Sequence, residues 1–91
     1  MPAYMISYDL RKVKNYDALI KELRGWGCIR PLKSFWLGNL KGNSNDIVTL
    51  LRKHMDGDDG IVVCEIKPTN DWTFANPEEH PAAWFKKFVG G

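Results

Sequence analysis

Residues 3–9 read Ala-Tyr-Met-Ile-Ser-Tyr-Asp, and the fold turns on this stretch. Successive side chains of an extended chain point to opposite faces. Tyr4, Ile6 and Tyr8 therefore share one face, and Met5, Ser7 and Asp9 share the other. Both faces stay largely apolar until the end. A strand of that kind is covered on both sides, so residues 3–9 predict an interior strand that finishes in the carboxylate of Asp9.

Downstream, Asn15 is placed to cap a helix running to Arg24. Tyr16, Leu19, Ile20 and Leu23 give this helix one apolar stripe. Asp17 and Lys21 form a favourable pair one turn apart, and Gly25 and Gly27 stop it. Residues 28–40, with Phe35, Trp36 and Leu37, read as two short strands or one long bent strand. Lys41-Gly42-Asn43 then supplies turn chemistry.

Asn43 or Ser44 caps a second helix that extends to Met55. Its first turn holds Asp46, where negative charge suits the helix dipole. Ile47, Val48, Leu50, Leu51 and Met55 form its buried side. The run Asp56-Gly57-Asp58-Asp59-Gly60 reads as a solvated turn. It fails as a calcium loop because glycine stands where a fifth ligand is needed and no closing glutamate follows. Ile61 to Ile66 is a strand, ended by Pro68. In the tail, alternation at Trp72, Thr73 and Phe74 predicts a short edge strand. Pro81 opens a helix carrying Trp84, Phe85 and Phe88 on one side.

The order is β-α-β(β)-α-β with a tail. In so short a chain it predicts an α+β domain over residues 1–68, an antiparallel sheet with both helices on one face. Residues 69–91 form an aromatic extension that packs on the domain or on a dimer partner. The apolar Met5 requires the second sheet face to be covered, and a second copy of the chain is one way to cover it. Trp72, Trp84, Phe85 and Phe88 suit such an interface. With 91 residues, of which 44% are apolar or aromatic, the chain makes one small domain for which a shared core is a common solution.

The formal net charge is +2, from 13 basic and 11 acidic residues. That balance does not by itself identify a nucleic-acid partner, so the distribution of charge matters more. Cys28 and Cys64 lie far apart without a CxxC pair, which suits buried thiols better than zinc or a disulfide framework. The first residues carry no basic start or apolar run, and no stretch is long enough to span a membrane. The expected location is the cytoplasm.

Several of these residues, taken in order, resemble a known family. Tyr4-Met5-Ile6-Ser7-Tyr8-Asp9-Leu10 is similar to the first strand of the small nuclease-like subunit of CRISPR adaptation complexes. In that family an apolar strand ends in Tyr-Asp and an aliphatic residue. A helix and glycine follow, as at Gly25-Trp26-Gly27. Next comes a strand with serine before aromatics, as at Lys33-Ser34-Phe35-Trp36. An acidic turn and a final apolar strand match residues 56–66. The likeness spans residues 3–67. It extends to virulence-associated protein D and looks closest to an uncharacterised SinR-like branch.

The resemblance implies a ferredoxin-like βαββαβ sandwich, a homodimer, and binding or cleavage of RNA or DNA. Three functions follow as expectations. The first is a metal-dependent endonuclease or endoribonuclease. The second is a non-catalytic scaffold that binds nucleic acid or a protein such as an integrase. The third is a toxin-like ribonuclease held by an antitoxin. Two features depart from the family. Its nucleases carry further acids after the strand-end aspartate, where this chain has Leu10-Arg11-Lys12-Val13-Lys14, and the Trp-rich tail is unusual.

Asp9 is the first candidate for chemistry. A carboxylate at a strand end can hold Mg²⁺, and two-fold symmetry would supply a second one, with water and phosphate oxygens filling the octahedron. The plainer reading makes Asp9 a cap that accepts backbone N–H groups in the following loop. Arg11, Lys12 and Lys14 suit phosphate contact, and Arg30 and Lys33 extend the patch if their strand is a neighbour. Tyr8 and Ser34 are candidate hydrogen-bonding partners of the reacting phosphate, although Tyr8 suits the core better. His54 suits a helix end better than general-base work, and His80 sits in a proline-flanked turn. The tryptophans could stack on bases, although packing is the commoner fate of such rings.

Overall fold

A computed structural model describes residues 1–12 and 16–91. Strand β1 (Ala3–Asp9) is followed by helix α1 (Asp17–Gly25) and strands β2 (Ile29–Leu32) and β3 (Phe35–Asn39). Helix α2 (Ser44–Arg52), strand β4 (Gly60–Ile66) and helix α3 (Ala82–Phe88) complete the chain. The four strands form one antiparallel sheet in the order β2-β3-β1-β4. β1 is interior, as its two apolar faces require.

The side-chain alternation of β1 divides the core in two. Tyr4, Ile6 and Tyr8, with Trp36 of β3, pack against Leu19 and Leu23 of α1 and Ile47 and Leu51 of α2. Ala3, Leu37 and the half-buried Met5 face the other way. There they meet Trp84, Phe85 and Phe88 of α3, together with Trp72 and Val89. The second face is thus covered by the chain's own tail, which is where Trp72, Trp84, Phe85 and Phe88 spend their apolar surface.

Trp72 stacks on Phe85 with ring centroids 4.8 Å apart and donates its indole N–H to Gly90 O at 2.7 Å. That stacking takes the place of the edge strand expected at residues 72–74, where the backbone is irregular. A side chain turned fully onto a neighbouring ring leaves no alternating ladder to form.

Residues 28–40 resolve into two strands joined at Lys33-Ser34. α2 starts on the expected cap. The Asn43 side chain accepts the Asp46 N–H, and the Asp46 carboxylate accepts the Asn43 N–H in return, a reciprocal box that satisfies two orphan donors. α2 ends at Arg52 and not at Met55, because the next bonds tighten to the three-residue spacing, His54 N–H to Leu51 O and Met55 N–H to Arg52 O. α1 begins at Asp17 with Tyr16 at its cap position, and the expected cap Asn15 lies outside the described residues. Among the described residues no helix is long and apolar enough to cross a membrane.

Candidate functional site

The end of the sheet where β1 finishes gathers most of the residues singled out above. Three connections converge there: the segment after Asp9, the β2–β3 turn at Lys33-Ser34, and the acidic loop before β4. Ser34 O accepts the Tyr8 N–H at 3.1 Å, which holds the turn beside β1. The Tyr8 side chain is core. Its hydroxyl accepts the Trp36 indole N–H at 3.0 Å and lies 3.4 Å from Lys33 O. Tyr8 is 7% exposed and packs in the helix-side core.

Asp9 projects from the opposite sheet face and is open to solvent. Its carboxylate accepts from Arg11 Nε at 3.1 Å, with the two side chains 73% and 54% exposed. Arg11 also donates from Nη1 to Asp58 O at 2.6 Å. A Cβ at Gly60 would stand 3.0 Å from Arg11 Nη2, the far end of this flexible side chain. Lys12 reaches Asp58 at 3.4 Å. Lys14 lies outside the described residues.

The loop cap that the sequence offered to Asp9 is formed by Asp59. This residue belongs to a turn expected to be solvated, yet it is 9% exposed. Its Oδ1 accepts the Arg11 N–H at 2.7 Å. Its Oδ2 accepts the Asp56 N–H and the Tyr16 hydroxyl, each at 2.8 Å. One carboxylate therefore ties the segment after β1, the start of α1 and the loop before β4 together. Burial, and then the bond to Asp59, push the Tyr16 phenol up to about 12, because the neutral O–H is what the carboxylate needs. Nothing in the local pattern separates Asp59 from Asp56 and Asp58. Its inward turn depends on Tyr16, 43 residues earlier.

A second group of charges surrounds Trp36, on the helix side of the sheet. The guanidinium carbons of Arg24 and Arg30 sit 4.9 and 5.1 Å from the ring centroid, within the range of cation–π attraction. Arg24 forms a two-toothed pair with Glu79, at 2.9 and 2.7 Å. Glu79 also accepts the Arg30 N–H at 2.7 Å. These bonds hold its carboxyl below the usual range. Arg30 Nε donates to Lys33 O at 2.8 Å. Arg24, Arg30, Lys33, Glu78 and Glu79 line a shallow depression of about 440 Å³. Arg30 and Lys33 thus share the sheet end with Arg11 and Lys12, but Arg30 lies on the helix side, whereas Asp9 projects from the other. The parts played by Arg24 and Glu79 had no sequence cue, because the tail folds back onto β2 only in three dimensions.

Among the described residues no group of three or more His, Cys, Asp or Glu side chains is arranged to hold a metal ion. Asp9 alone, with a guanidinium on one oxygen, is a poor fit to the near-octahedral oxygen shell that Mg²⁺ demands. His54 lies 3.9 Å from Glu22 in the turn after α2. Set beside protein-family models, curated proteins and solved structures, the chain matches none of them.

Proposed function

We propose that this chain is a ferredoxin-like domain, working as a homodimer, that binds the phosphates of RNA or DNA at this end of the sheet without cleaving them. The strand order β2-β3-β1-β4 with two helices on one face supports the fold. The observation that carries the function is the engagement of Asp9 by Arg11. Asp9 is paired with this guanidinium and belongs to no group of three metal-ligating side chains among the described residues, and the same sheet end presents Arg11, Lys12, Arg30 and Lys33. Ion pairs this exposed contribute about 1 kcal/mol or less, so an incoming phosphate can compete for Arg11 and Lys12. Lys33, at the exposed turn, is open to direct contact.

The second reading is metal-dependent cleavage, as a free-standing nuclease or as a toxin restrained by an antitoxin. It is favoured by the exposure of Asp9 at a strand end. Asp9→Asn separates the two readings by sign. For a binding site, removing one negative charge leaves affinity for single-stranded RNA and duplex DNA equal or higher. Lys33→Ala and Arg30→Ala weaken it several-fold at low salt, and raising salt from 50 to 200 mM weakens all variants steeply. Fluorescence anisotropy with labelled strands checks this. Mg²⁺-dependent product that vanishes in Asp9→Asn would replace binding with cleavage.

A further inference from the structure

The cover that the tail gives the second sheet face stops short of the Asp9 end. Strand register sets the side chains of this face in rows: Ala3 beside Ile66, then Leu37-Met5-Cys64, then Phe35-Ser7-Val62, with Asp9 and Gly60 at the end. The tail buries Ala3 and Leu37. Nearer Asp9 the face is open. Ser7 and Cys64 are exposed, Met5 and Phe35 are half-buried, and Val62 is 63% exposed.

Between these rows and the tail lies a cavity of about 500 Å³ with apolar walls from Met5, Phe35, Leu37, Trp72 and Phe85. Its size and aromatic lining are those of a ligand site. A second cavity of about 270 Å³, toward Pro31 and Phe74, shares Phe35, Leu37 and Phe85 with it. The rings of the tail are engaged with one another, Trp72 on Phe85 and Trp84 against Phe85 and Phe88. Phe35 has no ring partner among the described residues, so it is the aromatic group left to stack. Glu65, Lys67, Thr69 and Asp71 stand around the larger cavity and supply both donors and acceptors.

We propose that this cavity takes an unpaired nucleobase, stacked on Phe35, while Arg11 and Lys12 hold the phosphate beside it. This deepens the phosphate-binding reading, on which it rests, by giving the bases a site of their own. Phe35 lies opposite Ser7, two residues before Asp9, so the two positions are roughly 7 Å apart along the strand. Arg11 sits over that end, bonded to Asp9 and close to Gly60. A nucleotide with its phosphate on the guanidinium therefore brings its base to the ring. A four-stranded antiparallel sheet with an aromatic side chain on an open face is a platform for unpaired bases. Stacking there tolerates any sequence, because every base has a π-face. A duplex keeps its bases stacked and paired inside and offers this site its backbone alone.

The test is fluorescence anisotropy with the full chain and three labelled probes of equal length: a single strand, the same strand with its bases removed, and a duplex. The single strand is run as RNA and as DNA. Phe35→Leu keeps apolar volume and removes the ring, whereas Phe35→Tyr keeps the ring. Phe35→Leu is expected to weaken binding of the intact single strand by about tenfold, with abasic and duplex binding unchanged, and Phe35→Tyr to bind as wild type does. Both should give the wild-type circular dichroism spectrum. Wild type should bind the abasic strand about as weakly as Phe35→Leu binds the intact one, a comparison that holds even where the variant fails to fold. Equal binding of intact and abasic strands by wild type, or an equal loss on all three probes in Phe35→Leu, overturns the base site and leaves the phosphate reading standing. Where no strand binds, free adenosine separates the two. A shift of the Trp72 indole N–H signal in wild type but not in Phe35→Leu overturns the phosphate reading alone, and no shift overturns both.

Discussion

Trp36→Ala is expected to lower the unfolding free energy by about 3–5 kcal/mol, the range for truncating a large buried aromatic. Trp36 is fully buried at the centre of the helix-side core. Its removal leaves a cavity between β1, α1 and β2. It also takes away the indole N–H bonded to the Tyr8 hydroxyl and the ring beneath Arg24 and Arg30. Phenylalanine restores much of the volume and part of the ring face without the donor, so Trp36→Phe should lose roughly half as much or less. Urea denaturation of the two variants beside wild type checks the ranking. A loss below about 1 kcal/mol for Trp36→Ala would mean that this core is not packed as described.

Asp59→Ala should cost about 3 kcal/mol. A hydrogen bond to a charged group contributes about 1.5–3 kcal/mol, and three donors lose their acceptor together. They share one carboxylate, so their contributions do not simply add. Asp58→Ala should cost much less, because its side chain makes an exposed ion pair to Lys12. The same network sets an alkaline limit. Tyr16 ionises near 10.0 in the unfolded chain and near 12 in the fold. Between those values the unfolded chain holds fewer protons than the folded one, so stability falls as pH rises. The contribution is fully present below pH 10 and lost through pH 12. Tyr16→Phe should flatten that slope, which melting curves taken between pH 9 and pH 12 would read.

Residue pattern carried the architecture further than the site. The two-faced apolar run of β1, the stripe on α1 and the Asn43–Asp46 cap each depend on neighbours within a few residues, and each formed as local rules dictate. The partners that shape the site are remote. Asp59 turns inward to meet Tyr16, and Glu79 reaches back to Arg24 and Arg30. A sequence pattern registers that these residues are charged, but not that the chain brings them together. The same holds for the tail. Its aromatic content marked a surface in need of cover, and only the path of α3 across Ala3, Met5 and Leu37 shows that the cover is intramolecular. Asp9 illustrates the opposite case. Its place at a strand end was legible, whereas the bond its carboxylate accepts from Arg11, two residues on, was not, because the pattern marked Arg11 only as a phosphate contact.

The bonds from the tail onto β2, Glu78 N–H to Pro31 O at 2.7 Å and the Glu79 carboxylate to the Arg30 N–H, also bear on how far association can run. A sheet with both margins accessible can add copies end on end without limit, which is the route to fibres. Here one margin is sealed by the molecule itself, so a strand from outside can join only along β4. Edge-to-edge association is thereby capped at one partner per chain, which contains the aggregation hazard of a segment rich in valine and isoleucine.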